Sequence, residues 1–164
     1  MINEAQRTTA KHVVVVLGAN ASLITGKVKA SGTRTFFVVN DNWGCGISSS
    51  IHTGVAKSIE LSPETAGVML MVCDQPFVKF THLQKLVEAH RETRKPIVAS
   101  HYQGAAGTPV FFNSRYYDDL LKLEGDTGAK KIIAEHKDDV FLVEFAGGEV
   151  DIDTEEDYKR ILNH

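Results

Sequence analysis

Three stretches of this chain, residues 12–17, 35–39 and 68–73, are unbroken apolar runs rich in β-branched residues. A strand wetted on one face alternates apolar with polar residues. A run without that alternation must be covered on both faces, as strands of a parallel sheet between helices are. Between the runs the period becomes helical, with Leu23, Ile24 and Val28, then Ile51, Val55, Ala56 and Ile59, then Leu83, Leu86, Val87 and His90. Shorter strands are predicted at 96–99 and 109–112, helices around 114–123 and 128–136, and a strand at 140–144. A last helix starts near Thr154, whose hydroxyl can cap it, with Glu155 and Glu156 in its first turn. This alternation predicts a three-layer α/β/α sandwich with a mainly parallel sheet. Residues 1–11 are polar and read as the end of a helix feeding Val13, so the chain is expected to open mid-fold.

The 164 residues fit one domain, and no linker or repeat divides them. A net charge of −3 with no basic run argues against nucleic acid as the main partner. No apolar run approaches the roughly 18 residues that cross a bilayer, and the first residues lack the features of a secretion signal, which predicts a cytoplasmic protein without a membrane partner. Cys45 and Cys73 lie far apart, and the seven histidines form no His-x-His or His-Glu-x-x-His pair, so a transition-metal site has little support.

In an open parallel sheet, ligands bind beyond the carboxyl ends of the strands. Gly44-Cys45-Gly46-Ile47-Ser48-Ser49-Ser50-Ile51 follows the second run as a glycine turn entering a serine-headed helix. Its N–H groups and hydroxyls can donate to an anion or a base edge; the plain alternative is a helix cap after a tight turn. Asp74-Gln75-Pro76 directly follows the third run. Asp74 suits Mg²⁺, which takes one or two carboxylates with phosphate oxygens, or else it starts a turn. Asp151 and Asp153 share one side of an extended segment. They complete a divalent-metal site with Asp74 if the fold brings them together, and otherwise belong to a solvated helix start. Residues 104–109 and 125–131 supply glycines for turns beside a substrate, with Lys130 or Lys131 available to a phosphate, or form a plain turn and a surface helix. No Ser-His-Asp or Cys-His nucleophile arrangement is visible.

In order, Val-Leu-Gly-Ala-Asn-Ala (16–21), Gly-Cys-Gly-Ile-Ser-Ser-Ser-Ile (44–51), Asp-Gln-Pro (74–76), Gly-Thr-Pro-Val-Phe-Phe (107–112), Gly-Asp-Thr-Gly-Ala-Lys (125–130) and Asp-Ile-Asp-Thr-Glu-Glu-Asp (151–157) resemble the MobA-like NTP transferases. The subgroup they resemble is the MocA-type molybdenum cofactor cytidylyltransferases. The resemblance implies a Rossmann-like fold of the glycosyltransferase-A, or nucleotide-diphospho-sugar transferase, type. It further implies transfer of a nucleoside monophosphate from an NTP, CTP or alternatively GTP, onto a phosphorylated acceptor such as molybdopterin, with release of pyrophosphate. By the same resemblance Asp74 and Asp153 are catalytic, and Mg²⁺ is held by Asp74 with Asp151 or Asp153. Gly46, Ser48, Ser49 and Ser50 then line the base and ribose, while Gly107, Thr108, Pro109, Gly125, Asp126 and Gly128 face the acceptor. An oligomer or a molybdoenzyme partner fits the same picture.

The acceptor phosphate is itself the nucleophile in such a transfer, so the protein contributes positioning and charge neutralisation, with no activated side chain. One departure is clear. The family opens with a strand and a loop of the form Leu-Ala-Ala-Gly-x-Ser-x-Arg-Met-Gly, and no such segment precedes Val13. That strand sits centrally in the family's sheet, so unpaired backbone groups are expected here. Loss of one preorganised phosphate donor alone costs on the order of 10²- to 10³-fold in rate. A second expectation therefore stands beside the first: a non-catalytic remnant that binds a nucleotide or a partner protein. A phosphohydrolase using Asp74 as nucleophile is disfavoured, because no second Asp follows two residues later.

Overall fold

The computed structural model describes residues 1–28 and 33–162. The apolar runs become strands β1 (Val13–Leu17), β2 (Thr35–Val39) and β3 (Gly67–Leu70), followed by β4 (Ile97–Tyr102), β5 (Ala105–Asn113) and β6 (Val140–Glu144). The helices are α1 (Ile2–Gln6), α2 (Ala21–Lys27), α3 (Ile47–Leu61), α4 (Phe80–Thr93), α5 (Tyr117–Leu121), α6 (Lys130–Glu135) and α7 (Glu155–Leu162). The helical stretch predicted over 114–123 is shorter and starts as a single 3-10 turn, Ser114–Tyr116, capped by the Asn113 side chain.

The strands form two sheets. β1 pairs in parallel with β2, and the second sheet runs β3-β5-β4-β6. In the second sheet β4 and β6 are parallel while β5 is antiparallel to both of its neighbours, so β3, β4 and β6 share one direction. The reversal of β5 comes from the two-residue turn between Tyr102 and Ala105, where Gln103 and Gly104 both have positive φ (50° and 74°), the backbone that a tight hairpin requires. Gly104 is therefore a hairpin glycine. The strand predicted at 109–112 extends back to Ala105 because the hairpin pairs those earlier residues with β4. Among the described residues β1 pairs only with β2 and β3 only with β5, so each keeps one free edge.

Side-chain alternation sets the layers. On β4, Ile97 and Ala99 face one side with Val110 and Phe112 of β5, packing against Val55 of α3, Leu120 of α5, and Ile132 and Ile133 of α6. Val98 and Phe111 face the other way, onto Leu86 and Ala89 of α4. Burial on both faces thus falls on β4 and β5, whereas the three long apolar runs, expected to be covered on both faces, are mostly half-buried in β1, β2 and β3. A third cluster joins Ala5 of α1, Val78, Leu83 of α4 and Phe145, with Val13 and Met69 packed against it, and so bridges β1 and β3 through the helical layer. The polar N-terminal stretch is anchored there as well, since Glu4 accepts the Phe80 N–H at 2.6 Å and caps α4 from outside the helix.

Candidate active site

The segments that follow β1 and β2 meet each other, as do those that follow β3 and β6. At the end of β2, Asn40 is 3% exposed, and its N–H donates to the Leu17 carbonyl that ends β1 (2.7 Å). Its Nδ2 donates to Ser49 Oγ (2.9 Å) and Ser50 Oγ (3.0 Å), and its Oδ1 accepts the Asn42 N–H. The serines at the head of α3 are thus tied to the strand ends by a residue that the sequence motifs did not include. The signal that could have found it is position: Asn40 is the first polar residue after a continuous apolar strand.

The α3 head differs from the open donor array expected of it. The Ser48 N–H donates to the Gly125 carbonyl (3.2 Å) and the Ser49 N–H to the Gly46 carbonyl (3.2 Å). The Ser49 hydroxyl donates to the carbonyls of Asn42 (2.9 Å) and Gly46 (2.8 Å), and Ser48 is buried. Gly46 (φ 95°) lies so close to the 125–126 loop that a β-carbon there would stand 2.3 Å from the Gly125 carbonyl carbon and oxygen. Gly46, Ser48, Ser49 and Ser50 and the loop with Gly125, Asp126 and Gly128 are therefore one contiguous wall. Gly128 extends it, since a β-carbon there would touch Ile47 at 3.7 Å.

The acidic segments meet each other. The Ile152 N–H donates to the Asp74 carbonyl at 2.8 Å, which brings the extended 151–153 stretch alongside the turn after β3. The Asp151 carboxyl is pushed above its ordinary value, first by desolvation and then by the negative charges of Asp74 and Asp153, while Lys130 pulls it down. Asp74, Asp153 and Lys130 thus each lie within electrostatic reach of Asp151. Asp74 Oδ1 is buried with no hydrogen-bond partner, a costly state for a carboxylate oxygen unless something else satisfies it. Among the described residues no three His, Cys, Asp or Glu side chains are arranged to hold a metal by themselves, so the three aspartates are not a preformed cage. Hard oxygen donors with one orphaned oxygen fit a divalent cation that takes only one or two carboxylates and fills its shell from elsewhere.

Next to the turn that carries Asp74, Gly107, Thr108 and Pro109 lie inside β5. Ala99 pairs with Val110 but Ser100 pairs with Gly107, so Thr108 and Pro109 bulge out of the ladder. Bulges commonly re-aim side chains beside functional sites, and they accommodate a proline within a sheet. Behind the bulge, the buried Ser100 hydroxyl donates to the Pro109 carbonyl (2.6 Å) and accepts from His82 Nε2 (2.8 Å). The His82 ring stacks on Phe145 at 4.1 Å, and burial holds its pKa down to about 4, with the Lys85 charge adding to the shift. Thr108 donates to the side chain of Gln75, which no motif had singled out as a site residue.

The first 140 residues of the chain match the MobA-like NTP transferase domain. Among curated proteins, the purine catabolism protein PucB of Bacillus subtilis is 28% identical over 119 residues, or 71% of this chain and 56% of PucB, so the match spans little more than half of that relative. Rv0371c of Mycobacterium tuberculosis, solved alone and in complex with manganese, superposes with TM-scores of 0.78 and 0.77 at 24% identity, covering 99% of this chain and 82–84% of its own. The 4-diphosphocytidyl-2C-methyl-D-erythritol synthase of Anaerococcus prevotii superposes with a TM-score of 0.78 at 15% identity, covering 99% and 84%. These likenesses fix the fold as the α/β, nucleotide-diphospho-sugar transferase type. With the family match extending over most of its length, the chain belongs to the MobA-like NTP transferases, a family of nucleotidyltransferase type.

Proposed function

We propose that this chain moves a nucleoside monophosphate from an NTP, with CTP favoured over GTP, onto a phosphorylated pterin-type acceptor such as molybdopterin. An acceptor phosphate oxygen attacks the α-phosphorus, a P–O bond forms, and the bond to the bridging oxygen breaks with pyrophosphate leaving on the far side. The observation that carries this reading is the meeting of Asp74, with its unpaired Oδ1, and Asp151 at the turn after β3.

In this reading Asp74, with Asp151 or Asp153, holds the divalent ion, Mg²⁺ by preference. The bound cation would neutralise phosphate charge on both sides of the transfer. The wall from Gly46 to Ser50 shapes the base and ribose side, and the Gly107–Pro109 bulge and the 125–128 loop face the acceptor. Manganese in Rv0371c and the cytidyl product named for the Anaerococcus synthase support the metal and the base. The direct test is pyrophosphate release from each of the four NTPs in the presence of molybdopterin, with and without Mg²⁺. The expected result is Mg²⁺-dependent release with CTP, reduced at least 10²- to 10³-fold in Asp74→Ala. No release with any NTP would contradict the reading.

One observation favours a second reading, binding of a nucleotide or a partner without turnover. The first-turn amides of Ser48 and Ser49 already serve protein carbonyls, so the α3 head offers a nucleotide fewer free donors than an open helix N-terminus does. A binder of that kind is stabilised against heat no more by a triphosphate with Mg²⁺ than by a monophosphate, whereas a transferase is stabilised much more by the triphosphate.

A further inference from the structure

We propose that Gln75 is a positioning residue whose buried side-chain amide locks three loops into one register, so that Asp74 and Asp151 address the same cation. The inference rests on the cation reading above. Gln75 is 2% exposed, the most buried polar side chain of the turn that carries Asp74. Its Nε2 donates to the Gly148 carbonyl (2.8 Å) and to the Tyr102 hydroxyl (3.2 Å), and its Oε1 accepts from the Thr108 hydroxyl (3.2 Å). Both donors and the carbonyl of the amide are therefore in use, which is close to full satisfaction for this group.

The partners matter as much as the bonds. Thr108 belongs to the bulge of β5 on the acceptor wall, Tyr102 ends β4, and Gly148 lies in the turn that leads within three residues to Asp151. The Ile152 N–H then returns to the Asp74 carbonyl, next to Gln75 itself, and closes a ring of contacts. Gly107 belongs to the same junction, where a β-carbon would stand 2.2 Å from the Tyr102 hydroxyl. An apolar side chain of similar volume would fill this space without the desolvation cost of an amide. A fully bonded buried amide instead fixes which loop sits against which, because every slip of register strands a polar group.

Two measurements on the whole chain test this, with Mn²⁺ as the probe ion. Gln75→Leu keeps the volume and removes all three bonds. Expected are an approximately tenfold weaker Mn²⁺ affinity by calorimetry and at least tenfold faster hydrogen exchange at the Ile152 amide, with the amides of Val98 and Phe111 unchanged. A merely structural role would loosen the core amides together and leave Mn²⁺ affinity where it was. If Gln75→Leu does not fold, Thr108→Val removes one bond and is expected to shift both readouts in the same direction by a smaller factor. A folded variant with parental Mn²⁺ affinity and parental Ile152 exchange overturns the role of Gln75 and leaves the proposed function standing. A parent chain that binds no Mn²⁺ at all overturns the cation reading and this inference together.

Discussion

At the scale of single residues, the side chains that organise the proposed site are polar groups whose surroundings the sequence does not spell out. His82 shows how a buried group reports on the site. Its folded pKa of about 4 lies below the ordinary 6.5, so between those values the unfolded chain binds the extra proton and the folded chain does not. The stabilising effect of keeping His82 neutral is complete above pH 6.5 and is lost as pH falls towards 4. His82→Gln can still donate to Ser100 but cannot titrate. It is expected to flatten the fall in thermal midpoint between pH 6.5 and 4 relative to the parent, and a parental slope would remove His82 as the cause. Asp74 stood out in the sequence because it directly follows an apolar run, although the strand itself ends earlier, at Leu70, and Asp74 sits in the turn beyond it. Asn40, Gln75 and Ser100 stood out less: Asn40 follows β2 like any loop residue, Gln75 is the unassigned middle of Asp-Gln-Pro, and Ser100 lies within β4. Their partners, up to 73 positions away, show only in the fold.

At the scale of elements, the apolar runs and helical periods located the strands and helices, although only β4 and β5 are buried on both faces while β1, β2 and β3 stay mostly half-buried. Strand direction was not legible: an apolar run reads the same either way, and the reversal of β5 depends on positive φ at Gln103 and Gly104. The capping of α7 was visible in advance, and the structure closes it reciprocally, with the Asp157 N–H on Thr154 Oγ1 (3.1 Å) and the Thr154 N–H on Asp157 Oδ2 (3.0 Å). The close approach of α3 to the 125–126 loop yields a sharper expectation. Gly46→Ala would place a methyl group against the Gly125 backbone in a left-handed conformation, costing roughly 1–3 kcal/mol in unfolding free energy. Denaturant titration checks it. A neutral effect would mean that the loop moves freely away from α3.

At the scale of the whole molecule, the core is unevenly shared. β4 and β5 are enclosed by α3, α5 and α6 on one side and α4 on the other, with Ile97, Val98, Val110 and Phe112 fully buried. β1 and β2 form a two-stranded pair whose residues are mostly half-buried, and such pairs are marginal without support. Native-state hydrogen exchange is expected to show the amides of Val98 and Phe111 exchanging only by global unfolding, and those of β1 and β2 exchanging by cheaper local opening. Equal protection in both sheets would contradict this division. Phe112→Ala, in the centre of the larger core, is expected to cost about 3–5 kcal/mol, read from the denaturation midpoint. The proposed site draws on both parts, since the Asn40-linked α3 head adjoins the smaller sheet and the aspartates and the β5 bulge adjoin the larger one.

The claim on which the functional reading turns is that Asp74 and Asp151 serve one cation. A crystal of this chain soaked in Mn²⁺ and CTP, with an anomalous difference map, addresses it directly. The expected result is a single strong peak about 2.0–2.3 Å from Asp74 Oδ1, shared with an oxygen of Asp151 or Asp153 and with triphosphate oxygens. A peak held only by the exposed carboxylates of α7, or CTP bound with no metal near Asp74, would contradict it.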